Sequence, residues 1–268
     1  MLTAYDFSTA KLLDEAGIEM LLVGDSLGNT MLGYEDTLPV TMEDMIRATS
    51  SVVRGAENAF IVADMPFMSY QTSVYDAVVN AGRLVKEGGA EAVKLEGGVP
   101  FVEHIRAITT ASIPVMAHIG LTPQSVNAFG GFSVRGKDEE TGRQLIDDAL
   151  AVEKAGAFAV VLECVPSELA AMVTKMLKIP TIGIGAGAGT DGQVLVYHDM
   201  LGLYGRKSPK FSKRFADVGA LMKRGVFDYI AAIKTGSFPA KEHVFCIEED
   251  LMEKLRRYAE PKSDAYTG

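Results

Sequence analysis

Apolar residues gather in eight short runs along the chain, at 2–5, 20–23, 60–63, 92–95, 113–117, 158–162, 181–184 and 194–197. The runs are rich in Val, Ile and Leu and hardly alternate with polar residues, as strands buried on both faces of a parallel sheet do. Between them lie stretches with a helical period. In 72–89 the positions Val74, Ala77, Val78, Ala81, Leu84 and Val85 form one stripe, and Gly88-Gly89 supplies a stop. Segment 140–156 repeats the pattern with its own Gly stop. Segment 167–180 opens on Ser167 as a candidate N-cap and ends before Pro180, and 217–236 reads as a helix pair. Strands alternating with helices predict an α/β fold, a (β/α)8 TIM barrel, in preference to an open doubly wound sheet. No linker or low-complexity segment divides residues 1–268, so one barrel domain with a C-terminal helical tail is expected. The Gly-rich segment 120–140 is long for a connection and reads as a mobile loop over a site.

Composition narrows the function classes. The 268 residues are 48% hydrophobic and 23% charged, enough for a sizeable core. A formal net charge of -9 argues against nucleic acid and anionic membrane as partners, which call for a basic surface. Cys164 and Cys246 have no metal-type spacing and read as reduced thiols of a cytoplasmic protein. No apolar run approaches the roughly 20 residues of a membrane helix. The opening MLTAYDFSTAKLL reads as a strand followed by a helix, not as a secretion signal.

The chemistry lies where the apolar runs stop. In a parallel barrel all strand C-termini open on one face. Asp25 follows the second run, Asp64 the third, Lys94 and Glu96 close the fourth, His118 follows the fifth and Glu163 the sixth. Any one of them also reads as the start of a loop, but six in register around one mouth read as a site. Crowded carboxylates repel, and burial penalises each ion. A divalent cation is the simplest balance, and an oxygen-only ligand set favours Mg²⁺ over Zn²⁺. Lys94 and Glu96, two apart on a strand, share a face. Lys94 is either a donor to an anionic substrate or a salt-bridge partner of Glu96 or Asp64. His118 is either a hydrogen-bonded core residue or a supporting catalytic group. Ser26 offers its hydroxyl or backbone N–H to a carboxylate. The stretch GIGAGAGTDGQ (183–193) lacks the G-x-G-x-x-G spacing and reads as a turn that lets a ligand approach the backbone. A non-catalytic nucleotide-binding module built on that turn is the alternative of a different class.

The stretches MLTAYDFSTAKLLDEAGIEMLLVGDSLG, GYEDTLPVT, VADMPFMSYQ, AVKLEGG, PVMAHIGLTPQ, FGGF, VLECVP, GIGAGAGTDGQVLVYHDMLGL and GSFPAKEHVF resemble, in order, the ketopantoate hydroxymethyltransferase family over nearly all of residues 1–248. The resemblance implies a barrel of the phosphoenolpyruvate/pyruvate-binding type. It implies transfer of a hydroxymethyl group from 5,10-methylenetetrahydrofolate to 3-methyl-2-oxobutanoate, giving 2-dehydropantoate on the way to pantothenate and coenzyme A. By resemblance, Asp25 and Asp64 bind Mg²⁺ and Glu96 completes the metal site, directly or through water. Asp25, Ser26, Asp64 and Lys94 hold the oxo acid, and Glu163 is the proton acceptor. A homo-oligomer is implied, with a decamer as the candidate assembly.

Three features depart from the family pattern. Family members usually carry a short segment before MLTAYD, so a cap on the barrel bottom is either missing or not covered. After FGGF the family tends to have a basic residue, Val and Gln, where Ser133-Val134-Arg135 stands here. The tail after Asp250 matches nothing in the pattern. The alternative within the superfamily is another metal-dependent 2-oxo-acid carbon–carbon lyase, although the KKCGH loop of the isocitrate lyase group does not occur in this chain.

Overall fold

The computed structural model describes residues 1–131, 134–203 and 209–259. Eight parallel strands follow one another around a sheet in chain order: β1 (Leu2–Thr3), β2 (Met20–Val23), β3 (Phe60–Asp64), β4 (Ala92–Glu96), β5 (Val115–Gly120), β6 (Ala159–Glu163), β7 (Thr181–Ile184) and β8 (Gly192–Gln193). A parallel bridge between Leu2 and Leu195 joins the two ends, with the Thr3 amide donating to the Leu195 carbonyl at 3.1 Å. The sheet is therefore a closed (β/α)8-type barrel.

The helices are α1 (Phe7–Glu15), α2 (Leu27–Thr30), α3 (Met42–Gly55), α4 (Val74–Lys86), α5 (Val102–Thr110), α6 (Val126–Phe129), α7 (Glu139–Lys154), α8 (Ser167–Met176), α9 (Tyr197–Leu201), α10 (Val218–Thr235) and α11 (Glu249–Ala259). Local sequence sets their starts. The Asp6, Ser73 and Asp138 side chains accept from the amides of Thr9, Asp76 and Thr141, and Thr41 forms a capping box with Asp44. Residues 1–217 form one compact unit holding the barrel, and Val218–Gly268 forms a second holding α10 and α11.

Two apolar clusters divide the work of the strands. Leu21, Val23, Ile61, Ala63, Val93, Leu95, Ala117 and Leu162 face outward onto the helices. The alternate residues Leu22, Val62, Ala92, Met116, Ala159, Val161 and Ile182 fill the barrel interior. Side chains two apart on a strand share a face. Continuing the inward set toward the strand C-termini gives Asp64 after Val62, Lys94 and Glu96 after Ala92, His118 after Met116, and Glu163 after Val161. The interior is thus apolar below and ionic at its mouth.

The structure corrects several expected elements. The eighth strand lies at Gly192–Gln193, not at 194–197. Thr3 Oγ1 accepts from the Tyr197 amide at 3.1 Å, and the chain turns there into α9. Ser167 is not an N-cap: Pro166 holds that position, and the Ser167 hydroxyl donates to Glu168 instead. The expected pair over 217–236 is the single helix α10, which runs through Gly225. Segment 120–140 carries a 3₁₀ turn at Pro123–Ser125 and then α6, while Phe132 and Ser133 lie outside the described residues. Part of the tail after Asp250 is helical, as α11.

Candidate active site

A cavity of about 420 Å³ opens at the strand C-termini, and Asp25, Ser26, Asp64, Lys94, Glu96, His118 and Glu163 all line it. Strand register makes the pairs. Asp64 on β3 lies opposite Lys94 on β4, and the Lys94 ammonium meets Asp64 Oδ1 at 2.5 Å. Glu96 on β4 lies opposite His118 on β5, with 3.6 Å from Glu96 Oε1 to His118 Nδ1. Asp25 sits past the end of β2, where its backbone N–H donates to Asp64 Oδ2 at 3.1 Å. Ser26 stays in place through its Oγ, 2.8 Å from the Tyr5 hydroxyl.

Burial governs the charges. Asp25, Asp64 and Glu96 are each at most 5% exposed. Desolvation pushes all three carboxyls above their usual range, Asp64 to about 7, against the pull of Lys94. Their shared negative field holds the Lys94 ammonium firmly charged. Burial and the Lys94 charge push His118 well below its usual value, so its imidazole is neutral. Lys94 Nζ lies 3.2 Å from His118 Nδ1. An ammonium can only donate, so Nδ1 accepts and the proton resides on Nε2. Nε2 lies 3.3 Å from Glu163 Oε2 but out of hydrogen-bond alignment, and among the described residues it has no hydrogen-bond partner. Burial lifts the Glu163 carboxyl to about 7. Burial likewise pushes the neighbouring Cys164 thiol up to about 11, so it lines the cavity as a neutral group.

Two residues that sequence reasoning passed over complete the frame. Gln124 Nε2 donates to Asp25 Oδ2 and to the Met65 carbonyl, both at 2.9 Å, and the Gln124 amide donates to Glu96 Oε2 at 2.9 Å. The Tyr70 hydroxyl lies 3.0 Å from both the Glu96 carbonyl and Gln124 Oε1, which share its one O–H donor. Gln124 belongs to LTPQ and Tyr70 to MSYQ. Both lay in stretches already noted, and a neutral side chain beside a proline or in a loop gives no charge signal.

The Gly-rich turn after β7 is packed closely by side chains of the protein itself. A side chain on Gly185, at φ +64°, would meet the Phe211 ring at 2.9 Å, and side chains on Gly187 and Gly189 would meet Ser167 and Ala171 at 2.6 Å. These glycines admit the protein's own side chains.

Among the described residues, no three His, Cys, Asp or Glu groups surround one point as a ready-made cage. Mg²⁺ does not require one, since it keeps several waters and uses one or two carboxylates plus substrate oxygens. Three buried carboxylates with raised affinities for protons, and no nitrogen or sulfur donor among them, fit such an ion.

Comparison with known proteins places the molecule in two steps. Solved structures with the same fold include 2,3-dimethylmalate lyase, a phosphoenolpyruvate mutase/isocitrate lyase superfamily member (TM-score 0.58, 16% identity, covering 96% of this chain and 92% of that one). Phosphoenolpyruvate phosphomutase from Streptomyces platensis subsp. rosaceus aligns equally well (TM-score 0.58, 16% identity, 96% and 92%). These share this chain's barrel fold. The profile of ketopantoate hydroxymethyltransferase matches residues 1–241. The 3-methyl-2-oxobutanoate hydroxymethyltransferases of Clostridium novyi (strain NT) and Enterococcus faecalis (strain ATCC 700802 / V583) are 67% and 66% identical over 255 residues, covering 95% of this chain and 93% of each relative. The chain belongs to the ketopantoate hydroxymethyltransferase family and is an enzyme of the hydroxymethyltransferase type.

Proposed function

We propose that the enzyme transfers a hydroxymethyl group from 5,10-methylenetetrahydrofolate to 3-methyl-2-oxobutanoate. Water enters, and 2-dehydropantoate and tetrahydrofolate leave, as a step of pantothenate biosynthesis. The observation that carries this reading is a carboxyl held at about 7, Glu163, facing the same cavity as an ammonium and three buried carboxylates. A base poised near the working pH suits removal of a proton next to a carbonyl.

Asp25, Asp64 and Glu96 would hold Mg²⁺. Bound there, the ion would supply Lewis-acid polarisation of the keto oxygen, worth several kcal/mol of barrier. Lys94 donates to the substrate carboxylate and offsets its charge, and the Ser26 hydroxyl or amide adds a donor. Glu163 takes the proton from C3, and the carbon so activated attacks the methylene carbon of the folate. Neutral His118 stands between the base and the ammonium, with Nε2 3.3 Å from Glu163 Oε2 and Nδ1 3.2 Å from Lys94 Nζ, so it acts as a positioning residue. Cytoplasmic location and a homo-oligomeric assembly, with a decamer as the candidate, rest on family membership.

Exchange of the C3 proton with solvent deuterium tests the base. Glu163→Gln should lose exchange by at least about a hundredfold, the scale of general-base catalysis, while still binding the oxo acid. Exchange at the native rate refutes the assignment.

A further inference from the structure

The cavity has two unlike ends. The ionic end lies over β2 to β5. The opposite end, over β7, β8 and the segments that follow, is apolar: Ile184, Val194, Val196, Pro209 and Phe211 line it. Glu163 stands at the border, opposite Ile184 in the strand register. A five-carbon oxo acid occupies a small part of about 420 Å³, a volume within the range of about 300–1,000 Å³ of pockets that hold drug-sized ligands.

The segments after β8 also bring one carboxylate to the cavity. Asp199, in α9, lines the same cavity. No described residue donates a hydrogen bond to its carboxylate or sets a charge beside it, and burial alone raises its proton affinity. The mechanism above makes no use of it. A half-buried carboxylate that no described residue engages keeps both oxygens available to donors on a ligand. The two acceptor oxygens match two adjacent N–H donors on a flat ring, and the Phe211 ring, seated on Gly185, gives such a ring an aromatic surface.

We infer that the apolar end is the subsite for the pterin ring of the folate co-substrate, with the 2-amino and N3 hydrogens donating to Asp199 and Phe211 walling the ring. The inference deepens the proposed function and rests on it. It also accounts for direction: the oxo acid lies on the ionic side of Glu163, so the methylene donor reaches C3 from the other side.

Calorimetric titration of the whole enzyme, saturated with Mg²⁺ and the oxo acid, tests it with tetrahydrofolate and its 2-desamino analogue. The wild type should prefer tetrahydrofolate by about ten- to a hundredfold, the span of charge-assisted hydrogen bonds. Asp199→Asn should erase most of that preference, and Phe211→Leu should weaken both ligands alike; heat from the oxo acid alone verifies the fold of each variant. Undiminished preference in Asp199→Asn overturns the subsite while leaving the functional reading intact. If the wild type binds no tetrahydrofolate under these conditions, the functional reading and the subsite fall together.

Discussion

Burial holds the Glu163 carboxyl at about 7, and this single displacement acts on catalysis and on stability in opposite senses. The base works only when deprotonated, so C3 proton exchange should rise with pH to a plateau above about 7. Stability moves the other way. A carboxyl with a normal value near 4.5 when unfolded and about 7 when folded binds more protons in the native state across that interval. Stability therefore falls as pH rises from about 4.5 to 7, by about 3 kcal/mol at most. Glu163→Gln should remove this component, measured as a flatter pH dependence of urea unfolding of the metal-free enzyme. His118 tunes the same group. Its imidazole is a polar neighbour 3.3 Å from the Glu163 carboxyl, so the apolar ring of His118→Phe should deepen the desolvation, move the midpoint of the exchange profile to higher pH and slow exchange about tenfold or more. An unshifted midpoint would assign His118 to packing alone.

At the scale of elements, the tops of β5 and β6 are locked by backbone. Gly120 ends β5 opposite Glu163, at φ +92°, where an added side chain would strike the Glu163 carbonyl and lie 2.8 Å from Val165. The Leu121 amide donates to that same carbonyl at 2.9 Å. Gly120→Ala should cost about 2–4 kcal/mol in urea unfolding, from left-handed strain and overpacking together. It should also lower C3 exchange, because the displaced strand end carries the base. The same strand ends explain what the sequence reveals. Charged residues at inward positions, two beyond the last apolar one, mark the site because a parallel barrel buries both faces of its strands. What stays hidden depends on partners distant in sequence. The run 194–197 looks like a strand, yet Thr3 captures the Tyr197 amide from across the barrel closure and turns it into α9. Gly225 looks like a break, but a glycine inside a long helix costs only about 1 kcal/mol, and α10 continues through it. Gln124 shows its importance only when Asp25, Met65, Glu96 and Tyr70 surround it.

Across the whole molecule, negative charge is concentrated where it is hardest to solvate. The chain carries a formal charge of -9, and three of its carboxylates are buried beside one another at the barrel mouth, with Lys94 the cation nearest them. Lys94 alone leaves Asp25, Asp64 and Glu96 holding protons more tightly than free carboxyls do. The barrel interior beneath them is apolar, and the dication proposed above would offset their charge from the cavity side. Such an ion would bind the folded state in preference to the unfolded chain, and would then raise thermal stability by mass action. At a hundred times its dissociation constant the gain is about 2.7 kcal/mol. For a chain of this size that shifts the midpoint by about 5–10 °C. Melting followed by circular dichroism in EDTA and in saturating Mg²⁺ should show that rise in the wild type, and Asp25→Asn or Asp64→Asn should abolish most of it. Asp25→Asn should also melt higher than the wild type in EDTA, because it removes one member of the buried carboxylate cluster and leaves the Lys94–Asp64 pair intact. A wild type whose midpoint ignores Mg²⁺, with full transfer activity after EDTA treatment, would mean that Lys94 alone balances the three carboxylates.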